Sequence, residues 1–256
     1  MVKAKKVKCC RKNNTGYNTA VGSSIFHSHK GESKLKCYRN DCTDAHYNLQ
    51  LEEKIFREYA SDEDFFMLWR NENAVIVGKN QVIEDEVDLV YAKDHDVQIV
   101  RRITGGGAVY HDLGNVNYTY IGKKAGEFGN FLAFAQPVID FLQTLGVHAR
   151  HLGKNDIGIG DRKISGNAQA VREEYILHHG TILFDINVSV LEKVLTPDPE
   201  KLRGKGIKSV RSRVCNISDY VNMSREEFWE RICAYFQTED IALLLGGGAC
   251  YTRPVA

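Results

Sequence analysis

The 256-residue sequence contains no run of the roughly 20 apolar residues that a membrane span requires, and its first 36 residues lack the apolar stretch of a secretory signal. A soluble chain is expected, with no membrane partner. Nor is there a regular cysteine framework. Cysteines stand at 9, 10, 37, 42, 215, 233 and 250, an odd number without an export signal, so reduced thiols are the default. Cys9, Cys10, His27, His29, Cys37 and Cys42 match none of the usual zinc-finger spacings. No cysteine at all falls between 43 and 214, an interval that leaves most of the chain without a thiol nucleophile. Internal repeats are absent. So is an excess of charge of either sign: the formal net charge of +1 argues against a general nucleic-acid-binding surface.

The charge that is present is unevenly placed. Residues 1–36 hold nine Lys or Arg against a single acid, Glu32, whereas the remainder carries 25 basic and 32 acidic residues. The head reads as a basic, disordered extension. The expected location is cytoplasmic, or mitochondrial if that head is a presequence. From Asp44, a plausible N-cap, AHYNLQLEEKIFREY puts Tyr47, Leu51, Ile55, Phe56 and Tyr59 on one helical face. FFMLWR and AVIVG flank Asn71-Glu72-Asn73 and predict a hairpin. IEDEVDLVYAKDHD predicts a helix feeding the strand VQIVRR, and NFLAFAQPVIDFLQTLGV predicts a long helix that stops near Gly146. DIGIGDRKISGNAQAV reads as two short strands around Gly160-Asp161, YILHHGTILFDIN as another strand pair, and SREEFWERICAYF as the last helix. Together these elements give an α/β domain with a mixed sheet and flanking helices.

Two stretches concentrate the chemistry. RRITGGGAVYHDLGN places three successive glycines, Gly105, Gly106 and Gly107, between two predicted strands with Arg101 and Arg102 at the entrance. Such a triplet serves either a tight turn or the close approach of a ligand to backbone. It is neither a P-loop, since no Gly-Lys-Ser/Thr follows, nor a G-x-G-x-x-G at a strand-to-helix turn. In GKNDIGIGDRKISGNAQ, Lys163 follows a turn and precedes Ser165-Gly166-Asn167-Ala168. Two small-residue loops, each with a cation, suit an anion held between them.

RRITGGGAVYHDLGN, KNDIGIGDRKISGNAQ, HHGTILFD and KGIKSVRSRV, in this order and spacing, resemble the lipoate-protein ligases, as does YNLQLEE at the first helix. The resemblance covers about residues 38–236. It divides the chain into a basic extension (1–36), a catalytic domain (37–236) and an atypical tail (237–256), and it implies a biotin/lipoate ligase-like, class II synthetase-like fold. It also implies ATP-dependent activation of lipoate to lipoyl-AMP with Mg2+. The lipoyl group then passes to a lysine of a lipoyl domain of 2-oxoacid dehydrogenases or of the glycine cleavage H protein. By resemblance, Lys163 is the catalytic residue, binding both the ATP α-phosphate and the lipoate carbonyl. Arg102 contacts the phosphates; Gly107, Ala108, Val109 and Tyr110 line the adenylate. Asn155 and Asp156 either help hold magnesium or ribose or form an Asx turn, and His179 either borders the acyl pocket or is a hydrogen-bonded core histidine. His111 and Asp112 are read as braces of the loop rather than as acid–base catalysts. Lys208, Arg211 and Arg213 cover the adenylate, meet an acidic partner, or belong to a solvated loop.

Bacterial ligases of this type continue into a C-terminal accessory domain, so a separate accessory subunit is a further expected partner. The rivals are a transferase taking octanoyl or lipoyl groups from a preformed donor and a non-catalytic lipoyl-binding protein. Transfer through a cysteine thioester would need a thiol in the interval that has none.

Overall fold

A computed structural model describes residues 35–196 and 214–245. The basic head through residue 34, residues 197–213, which include Lys208, Arg211 and Arg213 and the KGIKSVRSRV stretch up to its last residue, and residues 246–256 lie outside the described residues.

Eight strands form one mixed sheet in the order β11-β1-β2-β6-β10-β9-β8-β7. They are β1 (Leu35–Asn40), β2 (Asp64–Trp69), β6 (Asn115–Gly122), β7 (Ala149–Leu152), β8 (Asp156–Ile159), β9 (Arg162–Arg172), β10 (Tyr175–Leu183) and β11 (Glu239–Asp240). Strand β1 runs parallel to β2 and β11, and the remaining neighbours are antiparallel. A second sheet, β4-β3-β5, consists of β3 (Ala74–Val77), β4 (Gln98–Arg101) and β5 (Val109–His111).

Strand β2 shows why the core has two sides. Successive side chains of a strand point to opposite faces. Phe65, Met67 and Trp69 join one apolar cluster with Leu49 and Phe56 of α1 (Ala45–Glu58). Phe66 and Leu68 join another, with Phe141 of α4 (Phe131–Thr144) and Phe228 of α6 (Arg225–Tyr235). A third cluster packs the small sheet against α3 (Leu89–Asp94) and α5 (Val188–Val194). The Asp44 carboxylate accepts from Tyr47 N–H at 2.8 Å, capping α1 as its sequence predicts. Among the described residues no helix is long and apolar enough to cross a membrane.

Four expectations are corrected. The predicted β2–β3 hairpin does not form: β2 pairs with β1 and β6 while β3 pairs with β4 and β5. The chain turns at buried Asn71 and at Asn73, whose φ of 42° redirects it into the second sheet. The IEDEVDLVYAKDHD helix is broken into α2 (Ile83–Glu86) and α3, because Val87 is extended and bridges Leu195 while Asp88 caps α3. YILHHGTIL forms one nine-residue strand instead of two. Cys37, Cys215 and Cys233 are free thiols, but Cys42 is disulfide-bonded, so the reduced default fails there.

Candidate active site

The glycine triplet links β4 to β5 and is held by its own backbone. Gly106 has a φ of 99°, which an L side chain rarely adopts, and its carbonyl packs so closely on Gly78 that a Cβ there would collide. A Cβ on Gly105 would meet nothing within 4 Å, so that position faces open space. Arg102, 8% exposed, turns its guanidinium inward. It donates to Ile76 O at 2.9 Å, to Gly105 O and Gly107 O at 2.8 Å each, and to Thr104 Oγ1 at 3.1 Å. Burial pulls its pKa down to about 10, opposed by the charges of Glu52 and Glu86. On the loop's exit side, the Glu86 carboxylate accepts from Ala108 N–H at 2.9 Å.

Behind the loop runs a buried polar chain. Trp69 Nε1 donates to Thr119 Oγ1 (2.9 Å), which donates to Glu52 Oε1 (2.6 Å). Both Glu52 oxygens lie 3.0 Å from His179 Nδ1, whose Nε2 is 2.7 Å from Thr104 Oγ1. An ionised Glu52 only accepts, so Nδ1 donates, and the carboxylate places a negative charge beside buried Arg102. Sequence reasoning missed Glu52. It sits inside the quoted YNLQLEE stretch, 1% exposed, where a helical glutamate reads as solvent-facing. His111 is 3% exposed, and burial, then Arg102 and His179, lower its pKa to about 3, so the ring is neutral.

On the other wall, Lys163 projects from β9. Its Nζ lies 2.8 Å from Asp156 Oδ1 of β8, both side chains being about 30% exposed. The ammonium passes over Gly166, where a Cβ would come within 2.5 Å of Nζ. Asn155 and Asn167 interlock: Asn155 Nδ2 donates to Asn167 O at 2.6 Å and Asn167 Nδ2 to Asn155 O at 2.9 Å.

These walls enclose a cavity of about 270 Å3. It brings together Arg102, Gly105, Gly106, Gly107, Ala108, Val109, Asn155, Lys163 and His179, along with His111. The side chain of Tyr110 does not line it. Alternation along β5 sends Val109 and His111 to the cavity and Tyr110 to the opposite face, where it packs in the third cluster and donates to Asn73 Oδ1. Asp156 reaches the site only through Lys163. Asp112 braces a turn, accepting from Gly114 N–H and Asn187 N–H at 2.8 Å each. Among the described residues no three His, Cys, Asp or Glu side chains cluster as a metal cage.

Two small-residue segments, each with a cation, thus face one cavity, as an anionic ligand would require. The family model of the lipoyl protein ligase A/B catalytic domain matches residues 44–237, a span that includes every cavity-lining residue. The chain belongs to this family. It is 42% identical over 192 residues to lipoate–protein ligase 1 of Staphylococcus aureus, an alignment covering 74% of this chain and 58% of that protein. The chain thus spans little more than half the length of that relative. Among solved structures, the bi-partite lipoate protein ligase of Thermoplasma acidophilum, from an archaeal lipoylation system with its E2 lipoyl domain, superposes with a TM-score of 0.68. The identity is 32%, covering 82% of this chain and 85% of that one. A lipoate-protein ligase A bound with ATP gives a TM-score of 0.66 at 29% identity, covering 84% and 86% of the two chains.

Proposed function

We propose that this domain activates lipoate with ATP and transfers the lipoyl group to a protein lysine. The observation that carries the proposal is the placement of the Lys163 ammonium and the open face of Gly105 on one cavity, whose other residues include the apolar Leu49, Trp69, Ile76 and Val109. In the first step a lipoate carboxylate oxygen bonds to the α-phosphorus of ATP and pyrophosphate leaves. Lys163 stabilises the charge that develops on the phosphate and acyl oxygens, once it exchanges Asp156 for the ligand. Arg102 acts from within the loop, since its donors already grip the loop carbonyls; its charge contributes to the local field. In the second step the acceptor lysine amine bonds to the acyl carbon and AMP leaves.

Mg2+ fits this site as a companion of ATP. It needs only one or two protein carboxylates beside substrate phosphates; Asp156, once Lys163 has left it for the ligand, would supply one carboxylate and neighbouring Asn155 one amide. When bound it spreads the negative charge of the phosphates. The acceptor in this reading is a lipoyl domain of a 2-oxoacid dehydrogenase or the glycine cleavage H protein. An E2 lipoyl domain in the T. acidophilum system supports it, and the bi-partite nature of that ligase supports an accessory subunit as a second partner. Among the described residues no cysteine lines the cavity, so none of them offers the nucleophile of a thioester route.

The test is pyrophosphate release from ATP with Mg2+, run with and without lipoate and with and without an accessory subunit. Lipoate-dependent release is expected. Its absence in every arm, with lipoyl transfer from preformed lipoyl-adenylate intact, would replace the ligase by a transferase; loss of both would overturn catalysis altogether.

A further inference from the structure

His111 is held by a line of buried amides that the reaction chemistry does not use. Asn40, Asn48 and Asn71 are 5%, 0% and 0% exposed and come from β1, α1 and the segment after β2. Their orientations are not free choices, because backbone groups of known polarity fix each one. Cys42 N–H donates to Asn40 Oδ1 at 3.1 Å, so Asn40 Nδ2 is the group facing Asn48 Oδ1 at 2.9 Å. Asn48 Nδ2 shares its two hydrogens among the carbonyls of Cys42 (2.8 Å) and Arg70 (3.0 Å) and the Asn71 amide at 2.9 Å; because this nitrogen only donates, Asn71 presents Oδ1 to it. Asn71 therefore turns Nδ2 towards His111 Nδ1, 3.1 Å away. A ring nitrogen facing a donor must accept. The single proton of the neutral ring is left on Nε2, which has no hydrogen-bond partner among the described residues although it is buried and its ring lines the cavity.

We propose that the Asn40–Asn48–Asn71 relay is a positioning device that locks His111 as the Nε2–H tautomer, keeping one hydrogen-bond donor in reserve for the substrate bound in the cavity. The proposal rests on the lipoate reading for the identity of that substrate, but not for the tautomer. A buried donor left unmatched is unfavourable, and native structures leave few without an occupant to satisfy them. Among the described residues the Asn71 side chain hydrogen-bonds Asn48 and His111, and it acts through the histidine.

Nitrogen-15 NMR of labelled protein tests both halves, with the His111 signals assigned by their loss in His111→Gln. The wild type should show a protonated Nε2 and a pyridine-like Nδ1 between about pH 6 and 8, since a neutral ring cannot carry both protons. Asn71→Asp replaces the donor by a carboxylate and should move the proton to Nδ1 or add a second one. Adding lipoate should shift the wild-type Nε2–H signal, and Asn71→Asp should bind lipoate at least about tenfold more weakly with ATP affinity unchanged, as loss of one matched donor entails. A wild-type Nδ1–H tautomer overturns the relay even if no variant folds. An Nε2–H signal indifferent to saturating lipoate overturns the reserved donor. Calorimetry showing no lipoate binding to the wild type would instead defeat the lipoate reading, while the tautomer result would still decide the relay.

Discussion

Truncating Glu52 to alanine should be among the most damaging single changes in this domain. The carboxylate is 1% exposed and receives Thr119 Oγ1 at 2.6 Å and His179 Nδ1 at 3.0 Å, while its charge offsets that of buried Arg102. Glu52→Ala strands both donors, each costing about 1–3 kcal/mol when left unsatisfied, and breaking a buried charge arrangement costs about 3–5 kcal/mol in all. Those ranges overlap rather than add, so a loss of about 3–5 kcal/mol is expected. Glu52→Gln keeps an oxygen for Thr119 but turns an amide donor towards His179 or forfeits the charge, for about 1–2 kcal/mol. Urea unfolding of wild type and both variants at neutral pH, with the slope checked for constancy, reads the differences directly. An alanine variant within about 0.5 kcal/mol of wild type, the ordinary effect of a surface change, would refute the claim that this chain of donors is anchored at Glu52.

Lys163→Ala should lower lipoate-dependent pyrophosphate release about a hundredfold, about 3 kcal/mol of transition-state stabilisation, while its partly exposed pairing limits the stability loss to about 0.5 kcal/mol. Near-normal turnover or a collapsed thermal melt would contradict that division. His111 and His178 are both fully buried with pKa values lowered to about 3, chiefly by burial. Between about pH 3 and 6.5 the unfolded chain binds the extra protons, so stability should fall as pH drops through that window, by up to about 1.4 kcal/mol per unit for each ring. Denaturant midpoints measured from pH 7 to 5 check this, and His178→Gln should flatten the decline; an unchanged slope would mean that other groups cause it.

Much of this was legible in the sequence where a residue's local role and its tertiary role agree. Asp44 caps α1 because a short acceptor before a helical pattern does so in any setting, and Gly160 turns β8 into β9 with a φ of 61° for reasons contained in its own backbone. Reading failed where packing on a second face decides. Asn48 and Glu52 sit on the buried side of α1, a side that apolar periodicity alone assigns to Leu51 and Phe56. The β2–β3 hairpin looked sound from its turn length, yet β2 is buried throughout and its partners lie far along the chain. Tyr110 followed the motif's boundaries, but strand alternation, visible only once β5 is placed, turns it from the cavity. The motifs marked the cavity's rim, whereas its buried supports came from unremarkable polar letters.

The contact of Gly78 with Gly106 has a mechanical consequence. It joins β3 to the glycine loop through main chain alone, and Arg102 rivets the same two parts from Ile76 O to Gly107 O. At the Gly78–Gly106 contact no side-chain rotamer stands between them to absorb a shift. The loop cannot swing independently of the three-stranded sheet without breaking both attachments, so the wall formed by Gly105–Val109 is as stiff as the sheet that bears it. Opposite it, Lys163 and His179 ride on the eight-stranded sheet. The width of the cavity is therefore set by the spacing of two plates, and what joins those plates across the gap, including Thr104 on His179 and Asn71 on His111, fixes the clearance left for a ligand.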